Sequence, residues 1–335
     1  MTKMYAYVAK NDKAKSQMKK IDMPEITNDQ VLVEVKAASI NPVDQNYHMM
    51  HQLFKIPTQY PLTLGNDFSG EIVEIGHNVT DFSVGDEVYG RTDHGETGTF
   101  AEYLATEPEA IAKVPKNIPL LHAAAVPLVG LTAYQALFEV LKIQKDQKVF
   151  INSGSGGVGS IAIQLAKNSG AYVATTTSQH NASLVEGLGA DKVIDYHKTK
   201  FADVLQDYDA VFDSRGGAET ADGLRILKSG GGLVTISGMP TPKLAREQEM
   251  GLTRRILFSM ISRSLRKTAR IKGVSYDFLL MRSDGEQLAE LTKLIEAEKI
   301  KPVIDRVFPF DSIKEALEYT SKGHAVGKVL IQIGE

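Results

Sequence analysis

Cysteine is absent from this chain of 335 residues. The absence excludes disulfides, a cysteine nucleophile, iron–sulfur clusters and zinc sites built on thiolates. Long apolar runs are also missing, since the most apolar window, residues 123–138, is broken by Pro127 and is shorter than the roughly 20 residues of a membrane-spanning helix. A cationic surplus is missing as well, because 38 lysines and arginines stand against 41 acidic residues, so no nucleic-acid partner is expected.

The length of the chain predicts about two domains. The first 120 residues are β-rich, with short β-branched runs at 31–35 and 71–75 that are bounded by turn residues. The amino terminus has no basic start followed by an apolar run, so we predict no secretory signal, no stable membrane insertion and a cytoplasmic location.

A different rhythm begins near residue 124, where apolar strands alternate with helical patterns. We predict strands at 148–152, 171–176, 192–194, 210–213, 232–236 and 270–274, with helices at 160–168, 182–187 and 217–227 between them. Such alternation predicts an α/β domain with a doubly wound parallel sheet. The tail contains strands at 303–308 and 327–333 around a helix at 313–321, and we expect it to complete the sheet of the first domain. The predicted domains are therefore residues 1–123 with 302–335, and residues 124–301.

A glycine-rich turn follows the first of these strands. Gly154, Gly156 and Gly159 have the spacing of a dinucleotide-binding fingerprint, and they lie between an apolar strand and a helix, as the motif requires. Glycines let the backbone approach a pyrophosphate, whose charge the N–H groups and the helix dipole attract. The alternative, a purely structural glycine turn, has less support.

The second strand indicates which dinucleotide is bound. NAD sites place an acidic residue about 20 residues after the turn, to bind the ribose diol. Here the strand ends in hydroxyl and amide residues, and no acid occurs before Glu186. Thr176, Ser178 and His180 can donate hydrogen bonds to a 2′-phosphate. This pattern favours NADP(H).

Five motifs then occur in a fixed order. They are Asn-Pro-Val-Asp at 41–44, Gly-Asn-Asp-Phe-Ser-Gly at 65–70, Val-Gly-Asp-Glu-Val-Tyr-Gly at 84–90, Gly-Leu-Thr-Ala-Tyr at 130–134 and Ser-Gly-Gly-Val-Gly at 155–159. Over essentially its whole length the chain resembles the medium-chain dehydrogenase/reductase superfamily, in its zinc-free quinone oxidoreductase branch. The resemblance implies a GroES-like first domain, a Rossmann second domain and a homodimer.

The chain departs from the zinc-dependent members of that superfamily. Where those enzymes carry Gly-His-Glu, residues 65–67 read Gly-Asn-Asp, and the cysteine ligands cannot exist. We therefore predict no metal site of that type. His48 and His51 could pair on a helix, but we interpret them as solvated or pocket-lining residues.

The resemblance also implies site residues. Asn41 and Tyr47 are the candidate catalytic residues. The candidate cofactor-binding residues are Asn41, Asp44, Thr132, Gly156, Gly157, Val158, Thr176, Ser178, His180, Tyr196, Ser214, Ser237, Gly238, Met239, Val274 and Lys328. Five of the candidate residues have a structural alternative: a turn at Asn41 and Asp44, packing of Tyr47, a helix cap at Thr132 and a solvated side chain at Lys328.

One segment does not fit the simple pattern. Between Gly251 and Gly273 there are seven basic residues and no acid; the basic residues are Arg254, Arg255, Arg263, Arg266, Lys267, Arg270 and Lys272. Apolar residues lie among them at helical spacing. Three interpretations are open: a helix that docks on a membrane surface, a cationic wall facing an anionic ligand, and a helix over the cleft with its charges in solvent, which we prefer.

These features predict a zinc-independent, NADPH-dependent oxidoreductase. Without a metal Lewis acid, the accessible acceptors are already electrophilic: quinones, and the activated C=C bond of α,β-unsaturated carbonyls. Two alternatives remain open, an enoyl-thioester reductase and an NADPH-binding protein with little turnover that contacts a partner, a membrane or RNA.

Overall fold

The computed structural model describes residues 2–11, 16–54, 56, 60–92, 98–323 and 325–334, apart from the His51 side chain. The strands are β1 (Lys3–Ala9), β2 (Gln17–Asp22), β3 (Val31–Ile40), β4 (Leu62–Thr63), β5 (Asp67–Ile75), β6 (Glu87–Arg91), β7 (Tyr103–Thr106), β8 (Ile111–Lys113), β9 (Lys148–Ile151), β10 (Tyr172–Thr177), β11 (Lys192–Asp195), β12 (Tyr208–Asp213), β13 (Leu227–Thr235), β14 (Ser275–Phe278), β15 (Ile304–Pro309) and β16 (Lys328–Gln332).

The α-helices are α1 (Pro42–Gln45), α2 (Tyr47–Phe54), α3 (Leu120–Ala123), α4 (Pro127–Tyr134), α5 (Gly157–Asn168), α6 (Ala182–Gly187), α7 (Phe201–Val204), α8 (Ala218–Ile226), α9 (Pro242–Glu247), α10 (Gly251–Ile261), α11 (Arg263–Lys272), α12 (Gly285–Glu296) and α13 (Ile313–Ser321). Short 3₁₀ turns occur at Pro108–Ala110, Gln179–Asn181 and Phe310–Ser312, and a π-helical turn at Gln135–Val140.

The chain divides into two compact units. The first contains Met1–Leu131 and Arg282–Glu335, and the second contains Thr132–Met281. These boundaries differ from those expected from the sequence, at 123/124 and 301/302. At the second boundary the reason is α12, which packs against β8 of the first unit and so continues that unit rather than the α/β alternation.

The second unit is built on one six-stranded parallel sheet in the order β11-β10-β9-β12-β13-β14. Numbered along the chain, this is the order 3-2-1-4-5-6 of dinucleotide-binding domains. The central strand β9 is apolar and buried beyond its first residue, as strands covered on both faces are. Phe150, Val211 and Leu233 share one core cluster with Leu224 of α8. The predicted doubly wound sheet is confirmed.

The first unit is β-rich and uses both ends of the chain. Among the described residues, a seven-stranded sheet has the order β15-β16-β3-β5-β6-β8, with β7 also paired to β3, and a smaller sheet has the order β2-β1-β4. Strand β16 pairs antiparallel with β3, so that Val329 is opposite Ile40. The expectation that the tail completes the first sheet is therefore confirmed.

One predicted strand is wrong. Residues 270–274 were expected to form the sixth strand, but α11 continues to Lys272 and ends at Gly273, which has a left-handed backbone (φ 68°). The strand begins only at Ser275. The error arises because Ile271 and Val274 are β-branched, although the charged residues around Ile271 follow the helical period of α11.

Within the described ranges, no helix has the length and apolar character needed to cross a bilayer.

Candidate functional site

The strands of the second unit end in polar side chains that bond to one another. Asn152, just after β9, donates from Nδ2 to Asp213 Oδ1 at the end of β12 (2.8 Å). Asp213 Oδ2 in turn accepts from the hydroxyl of Thr235 at the end of β13 (2.9 Å). All three residues are buried. This chain of hydrogen bonds therefore fixes the carboxyl ends of three neighbouring strands, at the edge where open α/β sheets bind ligands.

The same chain of hydrogen bonds positions three of the candidate cofactor-binding residues, Ser214, Ser237 and Gly238. Asn152 Oδ1 accepts from the backbone N–H of Ser214 (2.8 Å) and from its hydroxyl (3.0 Å). Thr235 Oγ1 accepts from the N–H of Ser237 (3.2 Å) and of Gly238 (2.8 Å). The turns after β12 and β13 are thereby held in place by side chains in the strands beneath them.

The glycines of the fingerprint have different physical roles. A Cβ on Gly154 would lie 2.3 Å from Thr175 Oγ1, and one on Gly159 would lie 2.2 Å from the Ser153 carbonyl, so these two allow the turn to pack. At Gly156 a Cβ would come only within 3.3 Å of the Ser153 carbonyl. Gly156 precedes α5, and the N–H groups of Gly157 and Val158 lie in the first helical turn, where the helix offers them no acceptor.

The candidates for the ribose phosphate lie at the ends of β10 and β11. Thr176 is buried and its hydroxyl accepts from the Ser153 N–H (3.1 Å), so it shapes the glycine turn. Ser178 is half-buried and His180 is exposed. Tyr196 follows β11; its ring is exposed, and its N–H donates to the Thr177 carbonyl (3.3 Å). Ser178, His180 and Tyr196 therefore offer solvent-accessible polar groups along one edge of the sheet.

Two expectations need correction. Val274 was expected at the carboxyl end of the sixth strand, but it precedes β14, at the opposite edge of the parallel sheet, where it packs on the core. Phe278 occupies the carboxyl end instead. Thr132 does not cap a helix, because α4 begins at Pro127 and Thr132 is buried in its interior.

Met239 is partly exposed, and its carbonyl accepts from the Tyr276 hydroxyl (2.7 Å).

The first unit contains a buried polar cluster, the Lys328 cluster, which comprises Asn41, Asp44, Asn66, Asp67 and Lys328. Lys328 is 4% exposed, so the alternative of a solvated lysine is wrong. Its Nζ lies 2.5 Å from Asn41 Oδ1 and 3.2 Å from Asp67 Oδ2. Asn41 Nδ2 donates to the same Asp67 oxygen (2.8 Å). The pairing of β3 with both β16 and β5 brings these residues together.

Asp44 forms the second half of the Lys328 cluster. One carboxylate oxygen accepts from the Asn41 N–H (2.6 Å) and the other from Asn66 Nδ2 (2.6 Å). Burial raises the pKa of Asp44 to about 7, although these two hydrogen bonds lower it. Asp44 therefore titrates close to neutral pH, beside the Asp67 and Lys328 charges.

The second candidate catalytic residue lies in the core of the first unit. Tyr47 begins α2, is buried, and its ring stacks on His48 with the centroids 3.8 Å apart. It belongs to a core cluster with Ile40 and Phe100. The structure thus places Tyr47 in the packing environment that was the alternative to its catalytic role. The side chain of His51 lies outside the described residues, so the histidine pair is not described.

Sequence reasoning missed several residues that organise these sites: Asn152, Asp213 and Thr235 in the second unit, and the role of Asp67 in the first. A signal was available for the first three. Each is a polar residue at or just after the end of an apolar parallel strand, the position from which ligands are bound in such sheets.

Comparison with known proteins supplies the family. The family model described as "Alcohol dehydrogenase GroES-like domain" matches residues 27–116, and the one described as "Zinc-binding dehydrogenase" matches residues 188–331. The mouse protein named "NAD(P)H oxidoreductase RTN4IP1, mitochondrial" is 32% identical over 324 residues, with 91% of this chain and 82% of that protein covered. The chain is a medium-chain dehydrogenase/reductase. The predicted superfamily is confirmed.

Two further relatives of this medium-chain dehydrogenase/reductase agree. The Arabidopsis thaliana protein named "NADPH-dependent alkenal/one oxidoreductase, chloroplastic" is 34% identical over 321 residues, covering 93% of this chain and 74% of that protein. The solved quinone oxidoreductase from Coxiella burnetii superposes with a TM-score of 0.85 at 29% identity, covering 99% of this chain and all of that one. The two-domain fold class is therefore confirmed.

The donor atoms of this medium-chain dehydrogenase/reductase do not fit the zinc that one family description names. At the position of the Gly-His-Glu motif, Asp67 is already paired with the ammonium of Lys328, and Asn66 presents its amide to Asp44. No thiolate is available anywhere in the sequence. In the part of the chain that the structure describes, no three histidine, aspartate or glutamate residues form a group able to hold a metal ion.

Proposed function

We propose that this protein is an NADPH-dependent reductase of electrophilic acceptors, namely quinones or the activated C=C bond of enals and enones. The observation that carries the proposal is the carboxyl edge of the parallel sheet. There the open backbone at Gly156 meets turns held by Asn152, Asp213 and Thr235. The names of the Arabidopsis and Coxiella relatives support the acceptor classes.

The residues present fit NADPH. Gly157 and Val158 would hold the pyrophosphate with their N–H groups, and Gly156 leaves room for it. Ser178, His180 and Tyr196 would contact the ribose phosphate, and no acid between the end of β10 and Glu186 would repel that phosphate. Ser214, Ser237 and Gly238 would approach the cofactor from the next turns. When bound, NADPH supplies the hydride that reduces the acceptor.

The Lys328 cluster would position Asn41 for the reaction. Asn41 is held at both ends, its side-chain oxygen by Lys328 and its amide nitrogen by Asp67, so it presents a fixed backbone at the end of β3. Such preorganisation orients bound reactants at no further cost in entropy. Because these donors do not fit zinc, a simple ketone lacks an electrophilic partner here. Solvent would protonate an enolate product, because the buried Tyr47 side chain packs in the core of the first unit.

Two finer expectations also belong to the proposal. Strand β14 is an edge strand of its sheet, so two copies could pair there as a homodimer. Light scattering of the purified chain tests this, and a monomer at all concentrations contradicts it. A cytoplasmic location is the other expectation. Relatives are named mitochondrial and chloroplastic, so fractionation of cells is the relevant measurement.

Steady-state oxidation of NADPH against a panel of acceptors tests the proposal. We expect turnover with a quinone, an enal or an enone and none with a simple saturated ketone. NADPH binding without oxidation by any of them would favour the alternative of a cofactor-binding protein with little turnover. A preference for an enoyl thioester would favour the enoyl-reductase alternative.

A further inference from the structure

Helix α10 exposes an aliphatic stripe. Leu252, Ile256 and Met260 are spaced four residues apart, so they lie along one side of the helix, and they are 69%, 52% and 69% exposed. Leu257 and Ile261, beside this stripe, are also exposed. Scattered apolar residues are ordinary on a protein surface, but a contiguous row of large aliphatic side chains marks an interaction site.

Helix α11 adds a cationic face to this surface. Leu265 and Ala269 pack on the core of the second unit, whereas Arg263, Lys267 and Arg270 are exposed. Ile271, next to Arg270, is also strongly exposed. We call the exposed side chains of α10 and α11 the helical surface; no acidic residue occurs between Gly251 and Gly273 to neutralise it.

A cationic cavity borders the helical surface. It has a volume of about 290 Å³ and is lined by Arg246 of α9, Ser259 of α10 and Arg266 of α11, among others. The Arg266 guanidinium donates to the Ser259 carbonyl and hydroxyl (3.0 Å each), which are neutral oxygens. Among the described residues, neither Arg246 nor Arg266 forms an ion pair with a carboxylate. Both charges are therefore available to an anion.

From these observations we propose that the helical surface docks on a bilayer that contains anionic phospholipids. The aliphatic stripe would enter the boundary between headgroups and acyl chains, Arg263, Lys267 and Arg270 would contact the headgroups, and the cavity would accept a lipid phosphate. This is attachment to one leaflet, not a span.

A second copy of the chain fits this surface poorly. In a two-fold symmetric contact the same patch meets itself. The basic residues of α11 would then oppose those of the partner with no acid in either segment. An anionic bilayer instead complements both the charge and the aliphatic side chains.

Flotation of the full-length protein with lipid vesicles tests the proposal. We expect binding to phosphatidylcholine vesicles that contain phosphatidylglycerol, release at high salt, and no binding to phosphatidylcholine alone. The triple variant R263Q/K267Q/R270Q should bind roughly 100-fold more weakly, because each basic residue near an anionic surface contributes about 1 kcal/mol. The variant I256S/M260S should lose roughly 10-fold or more.

A matched variant controls for net charge. K142Q/K145Q/K148Q removes three exposed lysines of the same unit that lie outside the helical surface, and it should bind as the unchanged protein does. The proposal is overturned if the unchanged protein fails to float with anionic vesicles, or floats equally with neutral ones. It is also overturned if the matched control loses as much binding as R263Q/K267Q/R270Q. Failure to float would point to an acidic protein partner or to a cleft-covering role.

Discussion

Lys328 and Asp67 form an ion pair in the interior of the first unit, with Nζ 3.2 Å from Oδ2 and both side chains almost completely shielded from solvent. The Asp67 carboxylate also accepts from the Ser39 hydroxyl (2.7 Å) and the Leu128 N–H (2.7 Å). Buried charges need this degree of hydrogen bonding to be tolerated. The Lys328 ammonium thus lies beside the residue position that belongs to the metal-ligand motif in zinc-dependent members of the superfamily.

Replacement of Lys328 tests this pair. In Lys328→Met, the Asp67 carboxylate is left buried without its counter-charge, and we expect the free energy of unfolding to fall by about 3–5 kcal/mol. The double variant D67N/K328M should recover part of that loss, because no buried charge is left unpaired. Urea unfolding measures both. Equal stability of Lys328→Met and the unchanged protein would show that the ammonium is not paired as described.

The pH dependence of stability tests the environment of Asp44. Burial raises the pKa of Asp44 from 3.8 to about 7, so between these values the folded state holds a proton that the unfolded state releases. The contribution of this group is therefore most favourable below about pH 4 and declines as the pH rises to about 7. Asp44→Asn lacks this titration. The stability of the unchanged protein, relative to Asp44→Asn, should fall across that window; a constant difference would contradict the assigned pKa.

The glycine turn offers a matched pair of substitutions. Gly159→Ala places a methyl group 2.2 Å from the Ser153 carbonyl, so we expect the free energy of unfolding to fall by about 1–3 kcal/mol, as at other overpacked sites. Gly156→Ala meets only one atom at 3.3 Å, so it should fold normally yet bind NADPH at least about 10-fold more weakly, because the methyl group obstructs the pyrophosphate. Thermal melting and NADPH titration distinguish the two. Unchanged NADPH affinity in Gly156→Ala would place the pyrophosphate elsewhere.

Substitution of Ser178 should weaken the preference for NADPH over NADH. Ser178→Asp introduces a carboxylate at the edge proposed for the 2′-phosphate, so the ratio of kcat/KM for NADPH over NADH should fall by roughly 10- to 100-fold through like-charge repulsion. Ser229→Asp is the control, since Ser229 is exposed near the amino end of β13, at the opposite edge of the sheet. An equal change in both variants would show that the 2′-phosphate does not bind at the edge where Ser178 lies.

The sequence predicted the parts of the fold that depend on local pattern. The apolar strands around Gly154–Gly159 and the helix at Ile313–Ser321 follow from periodicity and turn residues, and the structure has them there. The burial of Lys328 could not be predicted in this way, because it depends on the pairing of β16 with β3 across 288 residues of sequence. The hydrogen bond between Asn152 and Asp213 likewise joins residues 61 positions apart. Val274 was misplaced because β-branched residues at a helix end resemble a strand.

The most direct test of the proposed chemistry is the product formed from an α,β-unsaturated aldehyde and NADPH by protein treated with a metal chelator. Reduction of the C=C bond needs no Lewis acid, whereas reduction of the carbonyl does in the zinc-dependent enzymes. We predict the saturated aldehyde, formed at the same rate before and after chelation. Formation of the allylic alcohol, or loss of activity on chelation, would contradict the account.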